Sequence, residues 1–205
     1  MTASLCNLAL SDENKYELSK SGAIPALIAR AQSEDSEVAR QACAALANMC
    51  EMPEIQARVA EEGAVQPIVA VMRSPFVEVQ REAGRCLANL GAHRDNHPQI
   101  VQEGGHQLLI SYLLSPDTAC QRVGALGIEN LATNPELRVL LVDAGCLEPL
   151  MSLARSEDVE VEIQRFSVLA LANLGTAPGN HEAMLEEGTL PLLISLSSHP
   201  DEEIR

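Results

Sequence analysis

An asparagine returns along this chain at Asn7, Asn48, Asn89, Asn130 and Asn173, at intervals of 41, 41, 41 and 43 residues. A glycine keeps the same spacing in a second register, as Gly22, Gly63, Gly104, Gly145 and Gly188. The stretch from Glu78 to Leu90, Glu-Val-Gln-Arg-Glu-Ala-Gly-Arg-Cys-Leu-Ala-Asn-Leu, shows the unit around the asparagine, and versions of it precede and follow. Two registers with one period of about 40 residues, over segments patterned as helix, point to an α-solenoid, in which each unit buries its apolar face only against its neighbours. The expected organisation is one all-α array over residues 1–205. Residues 1–10 end a repeat, 11–50, 51–91, 92–132 and 133–175 are full repeats, and 176–205 form an incomplete one. Neither end carries a polar capping repeat, so the chain is expected to be a fragment of a longer protein.

Each repeat parses into a short helix, a turn at the glycine, a second helix, a serine-led turn and a longer third helix. In the first, Asn14 to Ser21 is the short helix and Gly22 supplies the left-handed turn that ends it. Pro25 follows in the first turn of the next helix, where its missing N–H is tolerated, and Pro67, Pro149 and Pro191 repeat the arrangement. The third repeat has Gln107-Leu108 there, so its second helix is expected to start less sharply. Ser33, Ser74, Ser115 and Ser156 fall just ahead of the long helices and read as N-caps. A two-residue insertion in Glu157 to Glu162 either lengthens the turn or adds half a helical turn.

Counting back from each asparagine at 100° per residue separates two faces of the long helix. Met49, Leu46, Ala45, Ala42 and Val38 share one, as do Leu174, Leu171, Ala170, Ser167 and Ile163. This is the expected core stripe. The opposite face carries Asn48, Asn89, Asn130 and Asn173, and, eight positions earlier, Arg40, Arg81, Arg122 and Arg165. Eleven positions before the asparagines stand Glu37, Glu78, Ala119 and Glu162. Positions seven and four before read Gln41 and Ala44, Glu82 and Arg85, Val123 and Leu126, then Phe166 and Leu169. The face therefore begins polar and ends with four apolar side chains expected to be exposed.

Composition narrows the function. Fourteen basic against 29 acidic residues give a net charge of −15, which disfavours nucleic acid and anionic membrane as general partners, since both require clustered positive charge. Aromatics are only 2% of the chain, so its core must come from Ala, Leu, Ile, Val, Met and Cys. The six cysteines form no C-x-x-C pair and sit mostly in apolar helical stretches, which fits reduced thiols and a cytoplasmic location. Apolar runs such as Val139 to Val142 are too short to cross a bilayer, so no direct membrane insertion is expected; peripheral attachment through missing flanks stays open.

With Gly22-Ala23-Ile24-Pro25, the Ser74 to Arg81 segment S-P-F-V-E-V-Q-R, and the A-N-L endings at Leu87 to Leu90 and Leu171 to Leu174, the chain resembles the armadillo repeat family throughout its length. The S-P-x-V-E-V-Q helix and the pairs Asp95-Asn96 and Glu13-Asn14 are most similar to the fungal vacuolar armadillo proteins and their protist and algal relatives. The resemblance implies a right-handed superhelix of three-helix repeats, about 41 residues each, whose third helices line a concave groove that binds extended partner segments. In importin-α the groove motif is Trp-x-x-x-Asn. Here the Trp position holds Ala44, Arg85, Leu126 and Leu169, which argues against a receptor for basic import signals.

The resulting reading is a non-enzymatic adaptor gripping an extended protein segment with acidic and apolar residues. Its expected groove is Asn48, Asn89, Asn130, Asn173, Arg40, Arg81, Arg122, Arg165, Arg85, Val123, Leu126, Phe166 and Leu169. The asparagine amides either grip a peptide backbone or bond their own loop carbonyls. The arginines either fork onto acidic groups or pair within the helix, as Glu37–Arg40, Glu78–Arg81 and Glu162–Arg165; Arg122 faces Ala119 and is expected to be the least compensated. No P-loop, G-x-S-x-G or H-E-x-x-H is present, and no cofactor, metal or catalytic residue is expected; His93 and His97 read as a loop pair. The alternatives are an architectural array in a large assembly, for example an axonemal one, and the substrate-recruiting part of a ubiquitin ligase. Leu5, Leu8 and Leu10 at one end and Leu193, Ile194 and Leu196 at the other are expected to expose unfinished core and drive end-to-end association.

Overall fold

A computed structural model describes residues 2–205, and its described residues are helices and turns with no strand. After α1 (Thr2–Leu8) the helices come in threes. The first triplet is α2 (Asp12–Lys20), α3 (Ala23–Ala31) and α4 (Ser36–Met49), and the second α5 (Pro53–Glu61), α6 (Val65–Val71) and α7 (Val77–Leu90). The third is α8 (His97–Gln102), α9 (Gly105–Leu113) and α10 (Thr118–Ala132), and the fourth α11 (Arg138–Asp143), α12 (Leu147–Arg155) and α13 (Val161–Gly175). The chain closes with α14 (His181–Glu186) and α15 (Thr189–Leu196). Short 3-10 turns at Arg94–Asn96, Pro135–Leu137 and Pro178–Asn180 lead into α8, α11 and α14. Two compact units result, Met1–Leu108 and Leu109–Arg205.

Local chemistry sets the joints. All five period glycines have positive φ, from 75° to 88°, a backbone state that only glycine adopts without strain. Despite lacking proline, α9 begins at Gly105 directly after Gly104, so the expected softer start is not found. The serines are not the N-caps. Those are Asp35, Phe76, Asp117 and Glu160. Asp35 accepts from the N–H of Glu37 and Val38 at 2.9 and 3.1 Å, and Asp117 from Cys120 at 3.0 Å. Each serine hydroxyl instead accepts from the N–H two residues on, closing the turn ahead of the helix. Every third helix starts twelve residues before its asparagine, so the two extra residues lie in the Ser156 turn and leave α13 in register.

Within the first unit α4 packs on α1 and α7, α3 on α6 and α2 on α5, so each repeat is laid on the last with like helix against like. In the second unit α10 packs on α13 and α12 on both α13 and α15. Leu46, Met49, Leu87 and Leu90 are fully buried in the first unit, as are Ile163, Ala170 and Leu174 in the second, while Val38 is only half-buried. Each large apolar side chain buried this way contributes about 1.5 to 3 kcal/mol. Ser167, within the stripe, satisfies its hydroxyl on the Ile163 carbonyl at 2.8 Å. The six cysteines form no disulfide, and five are buried.

A helix end leaves carbonyls without intrahelical partners, and here a side chain of the following short helix supplies them. Eight residues after the asparagine, Gln56 donates to Cys50 O at 2.9 Å, His97 Nε2 to Gly91 O at 2.7 Å, Arg138 Nε to Ala132 O at 2.9 Å and His181 Nε2 to Gly175 O at 2.9 Å. One residue earlier, Asn96 donates to Leu90 O at 2.9 Å and Gln56 O at 3.4 Å. Asn180 donates to Leu174 O at 2.9 Å and Arg138 O at 3.1 Å. Each of these amides ties its own repeat to the one before. His97 is therefore a buried joint of the fold rather than half of a loop pair.

Candidate functional site

The face opposite the core stripe differs in character between the two units. On α4 and α7 its polar groups are tied to one another. Asn48 is buried and its Oδ1 accepts from Arg85 Nη2 at 2.9 Å; Arg85 also reaches Ala44 O at 3.4 Å, Glu82 at 2.8 Å and Glu51 at 3.2 Å. Glu51 in turn accepts from Lys15 at 2.8 Å, and Lys15, itself buried, also pairs with Asp12 at 2.9 Å. Burial by itself depresses the Lys15 pKa, and its hydrogen bonds to Glu51 and Asp12 outweigh that and leave it raised. Asn89 donates to Ala47 O at 3.0 Å. Arg40 forks onto Glu37 at 2.6 and 2.9 Å, and with Gln41 holds that carboxyl down to about 2. Arg81 is exposed on the same face of α7.

On α10 and α13 the arginines pair across repeats. Arg122 donates to Glu162 at 3.1 Å, and Arg165 turns away from Glu162 to Asp201, at 2.5 and 3.1 Å, and to Glu203 at 2.8 Å. Arg122 is thus not an uncompensated rung, because the glutamate missing from its own helix is supplied 40 residues on. The intrahelical Glu162–Arg165 pair does not form for the same reason. Both members of the Arg122–Glu162 pair are well exposed, at 40% and 48%, where such a pair contributes about 0 to 1 kcal/mol.

Of the four apolar side chains expected to be exposed on this face, Val123 is not: it is 4% exposed and belongs to the core. Position seven lies between the two faces, and a short β-branched side chain there ends inside the packing. Leu126 and Phe166 are half-buried and Leu169 is 44% exposed. Asn130 and Asn173 are both partly accessible. Sequence reasoning passed over Glu129, half-buried beside Asn130, whose carboxyl is pushed up by burial. A signal was there: the residue before the asparagine is alanine in the other full repeats, at Ala47, Ala88 and Ala172.

Away from this face, a cavity of about 320 Å³ lies between α14 and α15, lined in part by Met184, Leu185, Leu190 and Leu193. Leu185, Leu190 and Ile194 are more than half exposed nearby, and so is Leu10 in the first unit. Leu196, expected among the exposed apolar residues, is buried. Among the described residues no helix is long and apolar enough to cross a membrane, and no group of three His, Cys, Asp or Glu side chains could hold a metal ion.

Comparison with known proteins converges on one repeat. The family model described as armadillo/beta-catenin-like repeat matches residues 11–51, 53–92 and 134–175. Among solved structures, an engineered protein is 31% identical with a TM-score of 0.92, over 99% of this chain and 83% of its own. A computationally designed armadillo repeat protein for modular peptide recognition is 27% identical, TM-score 0.92, over 99% and 87%. A designed armadillo repeat protein in complex with the peptide (KR)4 is 26% identical, TM-score 0.90, over 99% and 86%. No curated protein matches significantly. These likenesses reach the repeat family and do not single out its fungal vacuolar branch.

Proposed function

The chain belongs to the armadillo/beta-catenin-like repeat family, and on that premise we propose that it is a non-enzymatic scaffold holding an extended segment of a partner protein on its third-helix face. The observation that carries the reading is the α10–α13 surface, where Leu169 stands 44% exposed beside the half-buried Phe166 and Leu126, with the Asn173 amide accessible among them. Apolar side chains flanked by amides offer anchorage for alternate side chains and hydrogen bonds for a backbone. Arg122 and Arg165 take acidic residues of the segment by exchange with Glu162 and Asp201, which makes them selective for charge more than strong contributors to affinity. The cytoplasmic location and the vacuolar-type relationship are part of the same proposal and rest on the thiols and the S-P-F-V-E-V-Q helix.

Selection from a displayed library of random linear peptides tests this. The wild-type chain is expected to enrich an extended motif with apolar residues, and Leu169→Asp and Phe166→Asp to lose it with unchanged melting temperatures. Glu61→Gln, on an exposed short-helix position, is expected to keep it. No enrichment, or enrichment indifferent to both groove substitutions, moves the function to an architectural array.

A second observation favours self-association. Leu8 and Leu10 in one unit and Leu190 and Ile194 in the other are exposed at 46%, 70%, 52% and 64%. A concentration-dependent increase in sedimentation coefficient, abolished by Ile194→Glu, is expected if these patches meet between copies.

A further inference from the structure

We infer that the α10–α13 face contains a subsite for one cationic side chain, lysine or arginine, of the bound segment, with Glu129 as its counter-ion and Leu169 as its apolar wall. The inference rests on the scaffold reading above and adds the chemistry of the segment at one position.

Register places the two residues together. Arg122 of α10 reaches Glu162 of α13, and Asn180, beyond α13, reaches the Arg138 carbonyl beyond α10; the offsets of 40 and 42 residues show the two helices running side by side in the same direction. Glu129 is seven residues after Arg122, two turns on and on the same side of α10. Seven residues after Glu162 is Leu169. Glu129 therefore stands level with Leu169 on the edge of α10 that faces α13, about 10 Å along the helix from the Arg122–Glu162 pair.

What distinguishes Glu129 from the other carboxylates of this face is that it is both half-buried and unanswered. Glu37 is held by Arg40, Glu82 by Arg85 and Glu162 by Arg122. Among the described residues the Glu129 carboxylate has no hydrogen-bond or ion-pair partner. Burial raises its pKa, and no neighbouring charge contributes to the shift. The amide opposite is also unengaged. In the first unit Asn89 donates to the carbonyl of Ala47, the residue equivalent to Glu129. Asn173, equivalent to Asn89, makes no such bond.

A partly desolvated carboxylate beside an accessible apolar side chain matches a group with an aliphatic stem and a cationic tip, whose stem covers Leu169 while its charge reaches Glu129. The first unit shows the same chemistry completed within the chain. There Arg85, equivalent to Leu169, lays its own stem across the face and its guanidinium on Asn48 and Glu82. On α10–α13 that arginine is replaced by leucine and Glu82 by Phe166, while a carboxylate stands instead at Glu129, where the first unit has Ala47; the chain supplies no cation to it, and the partner segment does.

The same displayed random library serves as the probe, read now for composition. Wild type is expected to enrich a Lys or Arg next to an apolar residue. Glu129→Gln is expected to enrich the apolar motif without the basic residue, and Glu129→Lys to exchange it for Asp or Glu. For one enriched peptide made synthetically, changing its basic residue to Gln should weaken binding to wild type about tenfold and leave binding to Glu129→Gln nearly unchanged. A purely structural role for Glu129 predicts a lower melting temperature for Glu129→Gln; the subsite predicts an equal or higher one, since the variant no longer buries an uncompensated carboxylate. Enrichment that ignores charge at this position, or that is the same for all three proteins, overturns the subsite and leaves the scaffold reading standing. No enrichment at all overturns both.

Discussion

The guanidinium of Arg85 lies against the side-chain oxygen of Asn48, its Nη2 donating to Oδ1 at 2.9 Å across 37 residues of chain. With Glu82, Glu51 and the Ala44 carbonyl also in reach, this one side chain spans the surface between α4 and α7 and leaves little of Asn48 for a ligand. Arg85→Ala is expected to cost about 1 to 2 kcal/mol, less than a fully buried charged hydrogen bond because Arg85 is a quarter exposed. A double-mutant cycle with Asn48→Ala, followed by denaturant unfolding, should show a coupling of about 0.5 to 1.5 kcal/mol. Additive effects would mean that the bond contributes nothing on its own.

The side chain eight residues after each asparagine does one job with different chemistry: Gln56, His97, Arg138 and His181 all donate to the last carbonyls of the preceding helix. His97→Gln should therefore be tolerated, within about 1 kcal/mol, because Gln56 already makes this bond one repeat earlier. His97→Leu leaves the Gly91 carbonyl unsatisfied in a buried site and is expected to cost about 1 to 3 kcal/mol. Thermal unfolding of the two variants side by side measures the difference.

His97 also carries a pH signature. Burial holds its pKa below the ordinary 6.5, with the bond to Gly91 opposing, while Arg94 and His93 push further down. The folded state then binds fewer protons than the unfolded state between the two pKa values, so stability is complete above pH 6.5 and falls as pH drops through the folded-state pKa. His106, lowered by burial, acts in the same direction. Unfolding free energies measured from pH 7.5 to 5 should decline, and the decline should be shallower in His97→Gln. An identical slope in the variant would remove His97 as the origin.

Two glycines of the second unit separate conformational from steric need. Gly145 has φ +88° with open space around its Cβ position, so Gly145→Ala is expected to cost about 1 kcal/mol in backbone strain. A Cβ on Gly124 would sit 2.8 Å from Leu109 O and 2.9 Å from Leu113 N, backbone that cannot swing aside. Gly124→Ala should cost about 3 kcal/mol or more and melt well below Gly145→Ala.

The insertion in the fourth repeat is expected to be dispensable. Gln164 donates to Ser156 O at 2.6 Å over eight residues, and Gln80 makes the same 2.6 Å bond to Ser74 O over six. Deleting Glu157 and Asp158 restores the shorter spacing. It should change stability by less than about 1 kcal/mol, since the cost of closing a loop varies slowly with its length. A larger loss in calorimetry would show that the long turn has a structural role of its own.

Much of this was legible in the sequence because it is written in a period. The 41-residue spacing of asparagine and glycine, the left-handed turns at Gly22 to Gly188 and the core stripes of α4 and α13 depend on backbone geometry and helical angle, which act within a few residues. Side chains that answer to another repeat were not legible. Arg122 looked uncompensated because its carboxylate, Glu162, arrives 40 residues later; Val123 looked exposed because a wheel cannot say how deep its edge is buried; Glu129 drew no notice because a glutamate beside an asparagine looks solvated until its neighbours are known. The sequence by itself determined the helices, their joints and the unit that repeats, since those follow from local sterics and hydrophobic periodicity. Only the stacking of one repeat on the next decided which charges are met and which are left open, because ion pairing and burial depend on distances that no single repeat contains.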